Sequence, residues 1–520
     1  MNDRMELGTK AQAAARRAGT PWMDGGELRL DPGPHLFLDW RYVLPGEVGL
    51  VGPYWAEPDG TPMKLRLWKD PDRADKPFAA RFVPRDTPHG IRIVREPARK
   101  SDPLPYGAAP GARIIHDGGR YRTWYSTGEN EASRPIHCAE SADGYEWRGD
   151  TECTFNFSAA PGVAGLERTE IFLDPSAPDD ERFKMFFRGG IPGTELERRA
   201  VAERFLRERP EAFYPLGNDL SHLSGMWGAV SPDGIAWTAL PGPLVIHYSD
   251  TTNVVYYDRR LQRYVWYARC NWFYGRRCIG RAETDDFRRW PGPELLVWPT
   301  SERRPSDDWY TNSKTIYPGT VDQHLMFPSL YHHHDDTSEL LLYASPDGIV
   351  WNEVPGGSVL DAGPEPWDAG CVFGGTDLIP LGGDRVALPY GGYPQPHKYP
   401  RNRHSFRRTE ALAIWPRERL GGITADDEGA FATLPLITAG STLRLNARVR
   451  AAGHVLVELA GRDRQPLAGH SFADADPVLG ESLDHTVRWN GRAGIERDPD
   501  QPLTIRFRLR CATLFAFELH

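Results

Sequence analysis

A seven-residue phrase occurs three times along this chain. It reads Ser141-Ala-Asp143-Gly144-Tyr-Glu-Trp147, then Ser231-Pro-Asp233-Gly234-Ile-Ala-Trp237, then Ser345-Pro-Asp347-Gly348-Ile-Val-Trp351. Thr284-Asp-Asp286-Phe287-Arg-Arg-Trp290 is a degenerate copy. Each follows a strand-like apolar run. An Asp-Gly pair between two such runs marks a hairpin, because Gly takes φ > 0 without steric cost. A turn recurring at intervals of tens of residues means a repeated β unit, and the antiparallel meander that repeats in this way is the propeller blade.

Five units share the same grammar of strand, Asp/Gly turn and aromatic-rich strand. They run from Arg113 to Trp147, Arg168 to Trp237, Asn253 to Trp290, Tyr310 to Trp351 and Trp367 to Trp415. Period-2 alternation within them suits antiparallel strands with one face on a core. The second unit carries an insertion of helical composition, Glu195 to Arg209, stopped by Pro210. Past Arg419-Leu-Gly-Gly the pattern changes. Leu443 to Val449, Val455 to Leu459 and Leu503 to Leu509 alternate cleanly, which reads as a β-sandwich. The expectation is an all-β chain, a five-bladed β-propeller followed by a β-sandwich. Its boundaries fall at 1–30 for an N-terminal helical extension, 31–420 for the propeller with a helical insertion over 195–210, and 421–520 for the sandwich. Residues 54–105 read as a long connection with one or two strands.

The 62 Lys and Arg against 71 Asp and Glu leave a formal charge of -9, which argues against a nucleic-acid partner. No run approaches the roughly 20 apolar residues that cross a bilayer, and Met1 to Thr20 lacks the apolar core of a secretory signal. The six cysteines show neither a CxxC pair nor zinc spacing. A cytoplasmic protein with reduced thiols and no cofactor is the expectation, with self-association left open.

In a propeller the first strand of each unit lines the axis, so acids at the starts of those strands converge. They are Asp39, Glu170, Asp250, Asp307, Asp308, Glu365 and Asp368. Glycoside hydrolysis needs two carboxyls across the scissile bond, one protonated and one ionised. Crowding like charges raises the pKa of one member and so creates the acid. Arg113, Arg168, Asn253 and Asn312 are candidates for holding sugar hydroxyls, and Trp367 for stacking on a ring. The run His332-His333-His334-Asp335-Asp336 invites a metal reading. Consecutive histidines on extended chain point to opposite sides, which favours a polar blade loop. The basic stretch of His397, Lys398, Arg401, Arg403, Arg407 and Arg408 reads as a solvated loop or a phosphate contact.

With those residues in place, the chain resembles the five-bladed propeller glycoside hydrolases of families 32, 43 and 68. It looks most like a bacterial branch that opens on "LFLDD" and closes with a sandwich. Here the opening is Leu36-Phe-Leu-Asp39-Trp40, and the closing phrase Trp415-Pro-Arg417-Glu-Arg419 departs from that branch's pattern. The resemblance implies Asp39 as base or nucleophile, Glu365 or Glu170 as acid, and Asp368 or Asp308 as modulator. The fructosidase phrase "N-D-P-N-G" and the "E-C" acid motif are missing, which points away from fructans. The resulting expectation is an exo-acting glycosidase with a carboxylate pair in the central pocket, taking a small-molecule or oligosaccharide substrate. The alternatives are a non-catalytic carbohydrate-binding propeller and a glycoside phosphorylase.

Overall fold

The computed structural model describes residues 27–45, 86–104, 113–126, 135–214, 223–272, 275–398, 408–462 and 464–520. The helix expected near the N-terminus, most of the 54–105 connection, and Arg401, Arg403 and Arg407 lie outside them. The chain divides into two compact units. Of the described residues, 95–420 form the first and 27–94 with 421–520 the second.

The first unit is the propeller. Blade 1 is Arg113–Asp117, Arg120–Ser126, Ile136–Ser141 and Trp147–Glu152, paired in that order. Blade 2 is Ala164–Leu173, Phe183–Gly190, Ser224–Ser231 and Ala236–Ala239, and blade 3 is Val254–Asp258, Arg263–Trp272, Arg276–Thr284 and Glu294–Val297. Blade 4 is broken across its middle. Asp307–Thr311 and Lys314–Ile316 are two halves of one first strand, separated at Ser313, whose φ is 44°. The first strands of blades 1 and 2, and of blades 2 and 3, touch around the axis, and Arg113 makes a parallel bridge to Thr376 of blade 5.

The repeated phrase is the turn from third to fourth strand. In blade 2, Ser231 Oγ accepts from the Gly234 amide at 2.9 Å, and Asp233 Oδ1 accepts from the Ile235 and Ala236 amides at 2.8 and 2.9 Å. Trp237 Nε1 closes the turn on the Gly234 carbonyl at 3.1 Å. The same bonds recur at Ser141–Trp147 and Ser345–Trp351. Each turn also leans on its neighbour: Trp124 of blade 1 donates to the Gly234 carbonyl, and Tyr267 of blade 3 to that of Gly348.

Blade 5 lacks the phrase because it has no such turn. Its first three strands are Cys371–Gly374, Arg385–Tyr393 and Thr409–Pro416, and its outer strand is Arg99–Lys100 from the other end of the unit. Trp415, the last residue of the fifth unit, donates to the Glu96 carbonyl instead. The insertion of blade 2 is the helix Glu195–Glu208, opened by a capping box of Thr194 and Glu197.

The second unit is the sandwich, and it begins earlier than expected. Its long strands Gly421–Ala432, Leu443–Ala460 and Thr504–Leu519 share one antiparallel sheet with Glu481–Thr486, and shifts of register break their ladders. His35–Leu36 pairs with Thr504–Leu519 in the same sheet, so the boundary expected at residue 31 falls at 95. The physical reason is an aromatic cluster. Phe37 packs against Phe431, Phe507 and Phe517, with ring centroids 5.3–6.1 Å apart. None of the six cysteines is in a disulfide. Among the described residues, no helix is long and apolar enough to cross a membrane.

Candidate active site at the propeller axis

The expected acids do not meet. Asp39 belongs to the second unit, where it accepts from the Arg41 backbone amide and from its guanidinium at 2.7–2.9 Å. It therefore does not open the first blade, because its flanking strand is bound into the sandwich sheet. Asp308 is buried beside His333, whose Nε2 lies 2.8 Å from Oδ2. Asp368, with no exposed surface, takes Lys100 Nζ at 2.5 Å and the Tyr390 hydroxyl at 3.2 Å. Lys100 sits on the outer strand that closes the propeller, so Asp368 acts as a clamp. Glu365 is exposed on the loop before blade 5, and Trp367 packs its ring against Tyr390. Asp250 is ion-paired to Arg269, and Asp307 lies 2.9 Å from His332.

The two asparagines expected to hold sugar are turned inward. Asn253 accepts from Trp266 Nε1 and donates to the Thr251 carbonyl. Asn312 donates to the Thr252 and Tyr267 carbonyls and accepts from the Lys314 amide. Buried amides are satisfied this way because an unpaired one is costly. The side chain of Arg168 lies outside the described residues.

What does converge is a cluster on the axis. Arg113, the first residue of blade 1, donates through Nη1 to Glu170 of blade 2 and through Nε to Asp377 of blade 5, each at 2.6 Å. Burial pushes the Glu170 carboxyl up to about 8, against the pull of Arg113. It therefore holds its proton at neutral pH. Burial works to lower Arg113, but the Asp377 carboxylate raises it, so the guanidinium stays charged. Asp377 is 29% exposed against 2% for Glu170, so the two carboxyls on one guanidinium live in different solvents.

Beside them stands Lys314 of blade 4, 1% exposed. Its Nζ has no hydrogen-bond partner among the described residues and lies 3.6 Å from the centre of the Tyr256 ring. Desolvation depresses this amine well below the ordinary lysine range, with Asp258 and Asp377 opposing. Arg113, Lys314, Tyr256 and Asp377 line a cavity of about 470 Å³. The cavity runs along the first strands, from Arg113, Val254 and Lys314 at their starts to Leu173, Tyr257, Arg259 and the turn 317–321. Of the acids sought from sequence, Glu170 belongs to this cluster.

Lys314 and Asp377 escaped the sequence reading. Lys314 follows Asn312 and Ser313 in a run chosen for its asparagine, and Asp377 belongs to no repeated phrase. The available signal was a lone cation entering an otherwise uncharged inner strand, Lys314–Ile316.

No protein-family model and no curated protein matches the chain. Among solved structures it is similar to a thermostable family-43 glycoside hydrolase, with a TM-score of 0.40 and 10% identity over 61% of this chain and 91% of that one. It is similar to exo-inulinase from Aspergillus awamori, with a TM-score of 0.39 and 11% identity over 82% and 98%. For the GH32 β-fructofuranosidase of Bombyx mori the values are 0.38 and 11% over 84% and 95%. Likeness at this distance carries no argument about chemistry; the propeller stands on its own strand order.

Proposed function

We propose that the chain is a glycoside hydrolase whose acid and base stand on the propeller axis. Glu170 is the proton donor and Asp377 the ionised carboxylate. Arg113 holds both in place, and the sugar enters the cavity beside Lys314 and Tyr256. The observation that carries this reading is one guanidinium binding two carboxyls, one of which keeps its proton to about pH 8 while the other faces a 470 Å³ cavity. Glycosidic cleavage requires one protonated and one ionised carboxyl, placed across the scissile bond.

A second reading is a propeller that binds carbohydrate without cutting it. It is favoured by one observation: Asp377 is the one carboxylate among the described residues that line the cavity, while Glu170 is buried on the other side of the Arg113 guanidinium. A panel of nitrophenyl glycosides, followed by calorimetric titration with the parent sugars, separates the two. Under the first reading Glu170→Gln and Asp377→Asn each lose roughly 10²–10⁴-fold in turnover while remaining folded. Binding without turnover in the unmodified protein moves the assignment to the second. Near-wild-type turnover in both variants refutes the axial pair.

A further inference from the structure

The histidine run of blade 4 does not behave as a plain loop. The strand Asp307–Thr311 pairs antiparallel with Ser329–His332, placing Asp307 directly opposite His332. Opposed residues of an antiparallel pair put their side chains on the same face, and the next-but-one residue returns to that face. His334 does so: its ring centroid lies 5.9 Å from that of His332. His333 goes the other way, to Asp308 and the Tyr331 ring. One face of the hairpin end thus collects two imidazoles and a carboxylate, with one donor atom from each of Asp307, His332 and His334 lying within 4.8 Å of the others.

We propose that Asp307, His332 and His334 bind a divalent first-row metal ion, zinc by donor preference. Two imidazole nitrogens and one carboxylate oxygen with an open fourth position make a common zinc donor set. The supporting contacts agree. Asp307 is 4% exposed; its Oδ2 accepts from the Arg304 amide at 3.1 Å, and Oδ1 faces His332 Nδ1 at 2.9 Å. The other His332 nitrogen lies 3.6 Å from Glu339, as expected of a ligand histidine whose distal N–H is oriented by a carboxylate. The Arg304 guanidinium lies 3.1 Å from His334 Nε2, where Asp335 also reaches at 3.0 Å. Arg304 is exposed, so its long stem lets it leave when a metal enters.

The test uses the full chain without an affinity tag, stripped with chelator and titrated calorimetrically with zinc chloride. One equivalent is expected per chain. Cobalt(II) in its place is expected to give the visible bands of a four-coordinate site. His334→Ala removes a half-exposed ligand at little risk to folding and is expected to weaken binding at least tenfold, as is Asp307→Asn. His333→Ala, on the opposite face, is expected to leave binding unchanged. Absence of stoichiometric binding to the unmodified chain overturns the proposal. So does an equal loss in His333→Ala and His334→Ala. Metal binding is the readout throughout, so the outcome is independent of whether the axis cleaves a glycoside.

Discussion

Asp368 was expected to tune a catalytic pair, and the structure gives it another task that a single substitution can expose. Its carboxylate has no exposed surface, and Oδ1 has no hydrogen-bond partner among the described residues. Oδ2 has Lys100 at 2.5 Å and Tyr390 at 3.2 Å. Lys100 also reaches the Gly363 carbonyl, tying the outer strand of blade 5 to the loop before its first strand. Lys100→Met leaves Asp368 with the tyrosine alone, and breaking a buried pair by removing one partner costs about 3–5 kcal/mol. Asp368→Asn costs less, because Lys100 is 16% exposed and its ammonium can turn to water. The double variant should therefore cost less than the sum of the singles, with a coupling of roughly 1–3 kcal/mol. Two units need not unfold together, so a global midpoint is a poor readout. Hydrogen exchange of Thr409–Pro416, which pairs with Arg99–Lys100, reads the closure directly. The expected loss corresponds to about two to four decades in exchange rate, while Leu443–Ala460 in the second unit stays unchanged. A loss below about 1 kcal/mol in Lys100→Met would refute the clamp and return Asp368 to the list of functional acids.

The other predictions concern the turn and the axis. Gly234→Ala places a Cβ 2.8 Å from Trp124, on a ring held by its own hydrogen bond, at φ 77°. Gly242→Ala meets nothing within 4 Å at φ 67°. Both lose about 1–2 kcal/mol to the left-handed backbone, and only Gly234→Ala should add an overpacking loss of about 1–3 kcal/mol in denaturant titration; equal losses would remove the inter-blade role of the turn. Glu170 has a folded pKa of about 8, above its unfolded value of roughly 4.3. Its contribution is therefore full below about pH 4.3 and lost as pH rises through about 8; Glu170→Gln should flatten that limb of the stability profile, and an unchanged profile contradicts the protonated assignment. Lys314 is depressed, so the unfolded chain binds the extra proton and stability rises with pH toward the ordinary lysine range. Lys314→Met should raise the melting temperature at neutral pH and remove that rise; a lower melting temperature would show that the amine stabilises the axis.

The propeller was legible because its signal is local and repeated. Ser231, Asp233, Gly234 and Trp237 satisfy one another within seven residues, so a sequence pattern and a hydrogen-bond pattern are the same object. Blade 5 was read from its strands but not from its closure, because the partner of Thr409–Pro416 is Arg99–Lys100, more than 300 residues away. The same limit misplaced Asp39. The run His35 to Leu38 looks like any buried strand, and nothing local says that its partner is Thr504–Leu519. The candidate acids were sought by position along each unit, but pairing depends on where side chains meet around the axis. Asp377 lies in the fifth unit and Glu170 in the second, and Arg113 of the first joins them.

This redistribution of charge constrains what the axis can be for. Asp39, Asp250 and Asp368 each hold a cationic side chain, and the buried asparagines hold backbone. Groups committed in that way are explained by stability alone. Lys314 is not: a buried amine without a hydrogen bond among the described residues is a cost that a methionine of similar length avoids. Its presence against Tyr256, beside Asp377 and at the wall of a cavity, is what a site requires when it must meet a polar ligand that the empty fold does not supply. Sugar hydroxyls are such ligands, since each can accept from the amine and donate to the carboxylate. Under the proposed function the axis is the part of the propeller where local stability and binding pull in opposite directions, and where a stabilising substitution should be the one that loses function.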